Sequence, residues 1–154
     1  MSTALIQALI AHFDSVFEGP NGDYAAILES LASVSAEQAL WKPAPGRNSI
    51  WMIVEHLITS KEWQIQMLET GQASSPDWVE PAGDEAAWQA EIARLREAHQ
   101  RLKAALEQVK EADLLAVETP VPGRTLLELI LSSGPAHEAH HGGQIDYLKG
   151  LQAR

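Results

Sequence analysis

EAAWQAEIARLREAHQRLKAALEQVKE, residues 85–111, places Trp88, Ile92, Leu95, His99, Leu102, Leu106 and Val109 on one seam. Steps of three and four residues persist over its whole length. That is the period of a helix with one buried stripe, not of a strand. Nowhere in the chain do valine and isoleucine alternate with polar residues over strand length, so the protein reads as all-α.

The neighbouring segments follow the same period. Upstream, Ile53, His56, Ser60, Trp63 and Met67 form an inward stripe on a helix expected from about Ile50 to Glu69. It follows the loop Lys42-Pro-Ala-Pro-Gly-Arg-Asn48 and is capped by Asn48 or Ser49. The first segment, Thr3 to Phe17, carries Leu5, Leu9 and Val16 on one stripe, with Ile6, Ile10 and Phe13 beside it. Gly19-Pro20-Asn21-Gly22-Asp23 interrupts it, and Tyr24 to Leu31 resumes a helical pattern, as one broken element or two short helices. Downstream, residues 118–124 break the chain. Thr125-Leu-Leu-Glu128 then has the form of a capping box and opens a fourth helix that ends near Gly150, with a kink expected at Pro135.

Four amphipathic segments predict a four-helix bundle, with residues 1–154 as one domain. The connection from Gly71 to Gly83 is longer than an antiparallel hairpin between helices needs. Extended, it reaches on the order of 40 Å, enough to run the roughly 30 Å length of a 20-residue helix. The second and third helices are therefore expected to be parallel, in an up-down-down-up bundle with one long crossover.

Composition excludes several classes of function. No apolar run approaches the roughly 18–20 residues that span a bilayer. The N-terminus reads as an amphipathic helix rather than a signal peptide, which makes a cytoplasmic home the expectation. Eleven basic against 21 acidic residues give a formal charge of -10, a field that repels nucleic-acid phosphates. There is no cysteine, hence no disulfide, no thiolate ligand and no cysteine nucleophile.

The histidines carry the chemistry. His137-Glu-Ala-His-His141-Gly-Gly-Gln144 puts His137 and His141 one turn apart on a seam that includes Leu127, Ile130, Gly134, Ile145 and Leu148. His140 lies on the flank of this seam, so His141 is preferred as the second ligand. His56 lies about 10 Å from the start of its helix, and His141 a similar distance from the end of the last one. The crossover makes those helices antiparallel and brings the three imidazoles to one level. An up-down-up-down bundle would separate them by on the order of 10 Å, too far to share one ion. Three such ligands leave open positions suited to catalysis.

Other residues take plainer readings. His99 and His12 are expected to be satisfied core histidines, with His12 alternatively lining a pocket. Trp51, Trp63 and Trp88 read as core or pocket wall, while Trp41 and Trp78 lie by loops where they could cover an end of the bundle. Glu138 or Asp146 could orient a ligand imidazole, although a solvent-facing carboxylate is the simpler reading of either.

LWKPAPGRNSIWMIVEHL, residues 40–57, together with HEAHHGGQI, residues 137–145, resembles the DinB-like superfamily of damage-inducible metalloenzymes, over nearly the whole chain. The resemblance implies the crossover bundle, often as a homodimer. It also implies a divalent metal, commonly zinc or nickel, on His56, His137 and His141. Relatives include transferases and isomerases that use low-molecular-weight thiols. The resulting expectation is a metal-dependent enzyme that presents a small thiol to a small-molecule electrophile. A metal-dependent hydrolase and a non-catalytic metal-binding stress-response protein are the alternatives. The roles of His12, His99 and His140, the substrate and the acid or base residue are not fixed by sequence.

Overall fold

The computed structural model describes residues 3–75, 77, 79–116 and 119–153; Trp78, expected by a loop, lies outside them. Among the described residues eight helical elements occur in order: α1 (Ala4–Phe17), α2 (Ile27–Leu31), α3 (Ala36–Leu40), α4 (Ile50–Thr70), α5 (Glu85–Glu107), α6 (Asp113–Ala116), α7 (Leu126–Ser133) and α8 (Pro135–Gln152). The described residues form no strand. The fold is all-α, as the seam on residues 85–111 requires.

Local chemistry sets the boundaries. Ser49 caps α4, its hydroxyl accepting from Met52 N at 3.2 Å, and Gly71 ends that helix with φ 74. Thr125 and Glu128 close the expected capping box: the Glu128 carboxylate accepts from Thr125 N at 2.8 Å, and the Thr125 hydroxyl from Glu128 N at 3.2 Å. The fourth helical stretch is not kinked but divided. Gly134 leaves helical geometry at φ -100 and ψ -106, and Pro135 begins α8, where its missing N–H costs no hydrogen bond.

Contacts between helices fix their directions. Trp51 packs on Trp88, Glu55 pairs with Arg94, and Lys61 meets His99, so α4 and α5 ascend together. His56 meets His137, Lys61 pairs with Glu138, and Gln64 donates to Ser133 O, so α8 runs against α4. Phe17 stacks on His99 while Asp14 pairs with Lys103, so α1 runs against α5. With α1 also packed on α8, these helices close a ring in up-down-down-up order. The Gly71–Gly83 segment is the crossover.

The interior has two apolar lobes. One gathers Phe17, Ile58, Trp88, Leu95 and Ile145; the other gathers Phe13, Ile65, Leu102, Leu106 and Ile130. Trp88 is tolerated at the heart of the first because its indole N–H donates to Val34 O at 2.7 Å. Between the lobes lies a polar layer with one residue from each column: Asp14, Lys61, His99 and Glu138. Leu5 is partly exposed, and His12 lies on the surface rather than in the core or a pocket.

Candidate metal centre

α4 and α8 bring His56, His137 and His141 together, all half-buried, with one ring nitrogen of each within 4.8 Å of the others. His137 Nε2 stands 3.0 Å from His56 Nε2 and 2.9 Å from His141 Nε2. Ligand bonds of about 2.0–2.1 Å place neighbouring donor nitrogens roughly 2.9–3.4 Å apart for angles between square and tetrahedral. His140, although adjacent in sequence, is exposed and lies outside the trio.

Protonation favours three lone pairs. His141 Nδ1 lies 2.7 Å from Gln144 Oε1, an acceptor only, so the ring proton sits on Nδ1 and the lone pair on Nε2. Burial pushes His137 down to about 4, helped by the neighbouring rings of His141, His56 and His140 and by Lys61. Burial also lowers His56, and it lowers His141 against the opposing bond from Gln144. The buried His137 Nδ1 has no hydrogen-bond partner among the described residues. Three neutral imidazoles whose Nε2 atoms face one another cannot all be satisfied by each other's protons. A cation between them accepts all three lone pairs, so these residues fit a divalent ion.

The residue that orients the His141 ring is thus Gln144, three positions after it, rather than Glu138 or Asp146. Asp146 is exposed. Glu138, expected to face solvent, is almost fully buried and ion-paired with Lys61. Burial pushes the Glu138 carboxyl up and the Lys61 ammonium down, and the attraction between the two opposes both shifts. Lys61 Nζ also lies 3.1 Å from His99 Nδ1, while His99 Nε2 lies 2.8 Å from Asp14 Oδ1. A donor on one side and a carboxylate on the other hold His99 as the neutral Nε2–H tautomer. His99 is the satisfied core histidine expected from sequence, but it belongs to a network that reaches the residue beside His137.

Two cavities adjoin the histidines. One, of about 520 Å³, touches His56 and His137 and extends along α4 past Thr59, Ser60 and Trp63 to Arg124, Ser132 and Ser133. The other, of about 330 Å³, touches His56 and His141 and extends the opposite way along α4, past Ile53 and Met52 to Asn48. Trp63 is pocket wall, whereas Trp51 and Trp88 are core. A larger cavity of about 680 Å³, lined by Met67, Arg101 and Leu126, lies at the far end of α4 and touches none of the three histidines.

Glu55 and Glu62 do not serve the centre. Glu55 faces Arg94 and Glu91 on α5, and Glu62 is exposed. Burial, followed by the facing Glu55, raises Glu91 to about 7. No helix among the described residues is long and apolar enough to cross a membrane.

A crystal structure of a DinB-like protein from Bacillus subtilis has the same fold. It matches with a TM-score of 0.71 and 21% identity, over 96% of this chain and 93% of that one. No curated protein sequence matches the chain. The sequence model of the DinB superfamily matches residues 22–145, which span both the His56 and the His137–His141 motifs, and the chain belongs to that superfamily.

Proposed function

We propose that residues 1–154 form a single metalloenzyme domain whose divalent ion, zinc or nickel, is held by His56, His137 and His141. We further propose that it transfers or isomerises a small electrophile with the help of a low-molecular-weight thiol. The observation that carries this reading is the trio of Nε2 atoms set between two cavities. When bound, a divalent ion supplies a Lewis acid that deprotonates a coordinating thiol at neutral pH. His56, contributed by α4, and the α8 pair hold three positions and leave the rest to the ligands.

Charge around the site favours a thiol over water. Among the described residues no carboxylate lines either adjoining cavity. Hydrolysis needs a general base within reach, and the nearest buried carboxylate, Glu138, is engaged by Lys61. A thiol needs no protein base once coordinated. The chain has no cysteine, so the sulfur must arrive on a small molecule. A cytoplasmic homodimer with a role in stress response completes the reading, supported by membership of the superfamily.

Metal analysis of the full-length protein, followed by a panel of thiols with a generic electrophile, tests it. The expected result is stoichiometric divalent metal, lost in His141→Ala and kept in His140→Ala, with turnover only when thiol is added. Unchanged metal in His141→Ala sinks the centre. Ester cleavage without thiol transfers the assignment to a hydrolase. Unfolding on metal removal with no turnover in any assay makes the ion structural.

A further inference from the structure

The cavity on the His137 side has a chemical bias that the metal does not explain. Among the described residues its lining carries no carboxylate, in a chain with 21 acidic residues and a formal charge of -10. It does carry one cation, Arg124, whose guanidinium makes no contact ion pair or hydrogen bond among the described residues and acts on Glu128 only at longer range. The nearby Glu128 carboxylate is committed to the start of α7, where it accepts from the backbone N–H and hydroxyl of Thr125.

The hydroxyls divide into two kinds. Thr59 and Ser132 donate to backbone carbonyls one turn back, those of His56 and Leu129. Ser60, Ser75 and Ser133 make no side-chain hydrogen bond among the described residues, so all three keep a proton to give. Trp63 adds an aromatic wall. Arg124 is placed from outside the bundle by a fixed turn. Arg124 N donates to Val121 O at 3.3 Å, the Thr119 hydroxyl donates to Arg124 O at 3.1 Å, and Gly123 has φ 78.

We infer that this chamber binds a carboxylate group of a small-molecule ligand, with Arg124 as the charged donor and Ser60 and Ser133 as supporting donors. A guanidinium fork matches a carboxylate in two parallel hydrogen bonds, and the free hydroxyl protons in the same lining add further donors that can turn toward it. The ligand would lie along α4 with its anionic end at Arg124 and its reacting atom at the histidines. The inference rests on the centre being a site for small molecules, as proposed above. The carboxylate can belong to the thiol or to the electrophile, and the two sources are separable.

Two binding experiments on the full-length protein test this. Calorimetry compares phenylacetate with 2-phenylethanol. Sulfur-to-metal charge-transfer absorption of the cobalt-loaded protein compares 3-mercaptopropionate with 3-mercapto-1-propanol. The carboxylate member of a pair is expected to bind about tenfold tighter, the scale of one charged hydrogen bond. The preference should vanish in Arg124→Gln and return in part in Arg124→Lys. Preference in both experiments assigns the carboxylate to the thiol; preference in calorimetry alone assigns it to the electrophile. Equal binding within both pairs, or a preference that Arg124→Gln leaves intact, overturns the inference. Absence of a charge-transfer band with every thiol would overturn the thiol reading while leaving the calorimetric result to stand. Arg124 is exposed and makes no side-chain hydrogen bond among the described residues, its charge acting on Glu128 only at longer range, so the substitution is expected to leave folding intact, which circular dichroism checks.

Discussion

At the residue scale, what could be read from sequence and what could not divide along a physical line. His56, His137 and His141 were legible because imidazoles spaced by a turn on an apolar seam must point inward. Glu138 was not. A lone charged residue beside a seam reads as solvated, and only the opposite charge from another helix makes its burial tolerable. Lys61 supplies that charge, and nothing near residue 138 announces it. The same layer yields a pH prediction through His99, whose neutral form is preferred by the fold. Burial, then the ammonium of Lys61, lowers His99 from 6.5 to about 4 despite the bond to Asp14. The unfolded chain therefore binds the extra proton first. Stability is full above about pH 6.5 and falls by on the order of 2–3 kcal/mol as pH drops to about 4. Denaturant unfolding at intervals across this range should show the loss, and His99→Gln should make it shallower, leaving the share that comes from His137, His56 and His141. Parallel curves for the two proteins would contradict the assignment.

At the element scale, caps were the most legible features, because a cap is decided by three or four adjacent residues. Ser49 and Thr125 stand where the sequence puts them. The short helix α3 was missed, since five residues are too few to show a period, whereas α2 lies within the Tyr24–Leu31 stretch read as helical, where a second short helix was one of the two alternatives. The Ser35 to Gln38 spacing of α3 was nevertheless a readable capping box: Ser35 N donates to Gln38 Oε1 at 3.0 Å. The division at Gly134 was less accessible, because its cause lies on another helix. A Cβ at Gly134 would come within 2.3 Å of the Phe13 ring and 2.7 Å of Ile130 O, so α1 reaches this junction only where there is no side chain. Gly134→Ala is expected to destabilise by about 1–3 kcal/mol or more through overpacking. Gly143, inside α8, is the control, because a methyl group there would meet nothing within 4 Å. Gly143→Ala should stabilise by roughly 0.5–1 kcal/mol. Thermal unfolding of the two variants reads both signs, and a neutral Gly134→Ala would show that the junction can move aside.

At the scale of the whole molecule, loop length and histidine height pointed to the same crossover, and the cross-helix contacts bear it out. The polar layer could not be read, because it is assembled from residues 14, 61, 99 and 138, each ordinary in its own segment. Its position relative to the centre has a consequence for changes of length. α4 meets α8 at two points, His56 against His137 and His141, and Lys61 against Glu138. An added residue between them turns one point about 100° away from the other. One alanine inserted between Ile58 and Thr59 should therefore strand a buried charge, at a cost of about 3–5 kcal/mol, or else release the metal. A Gly-Ser pair inserted after Ala73, in the crossover, should cost less than about 0.6 kcal/mol. Unfolding and metal content measured on both variants check this, and equal tolerance would refute it. Homologous chains should accordingly keep the count of residues between His56 and Lys61 even where the letters differ, so a gap-free α4 beside a crossover of any length is the signature to look for.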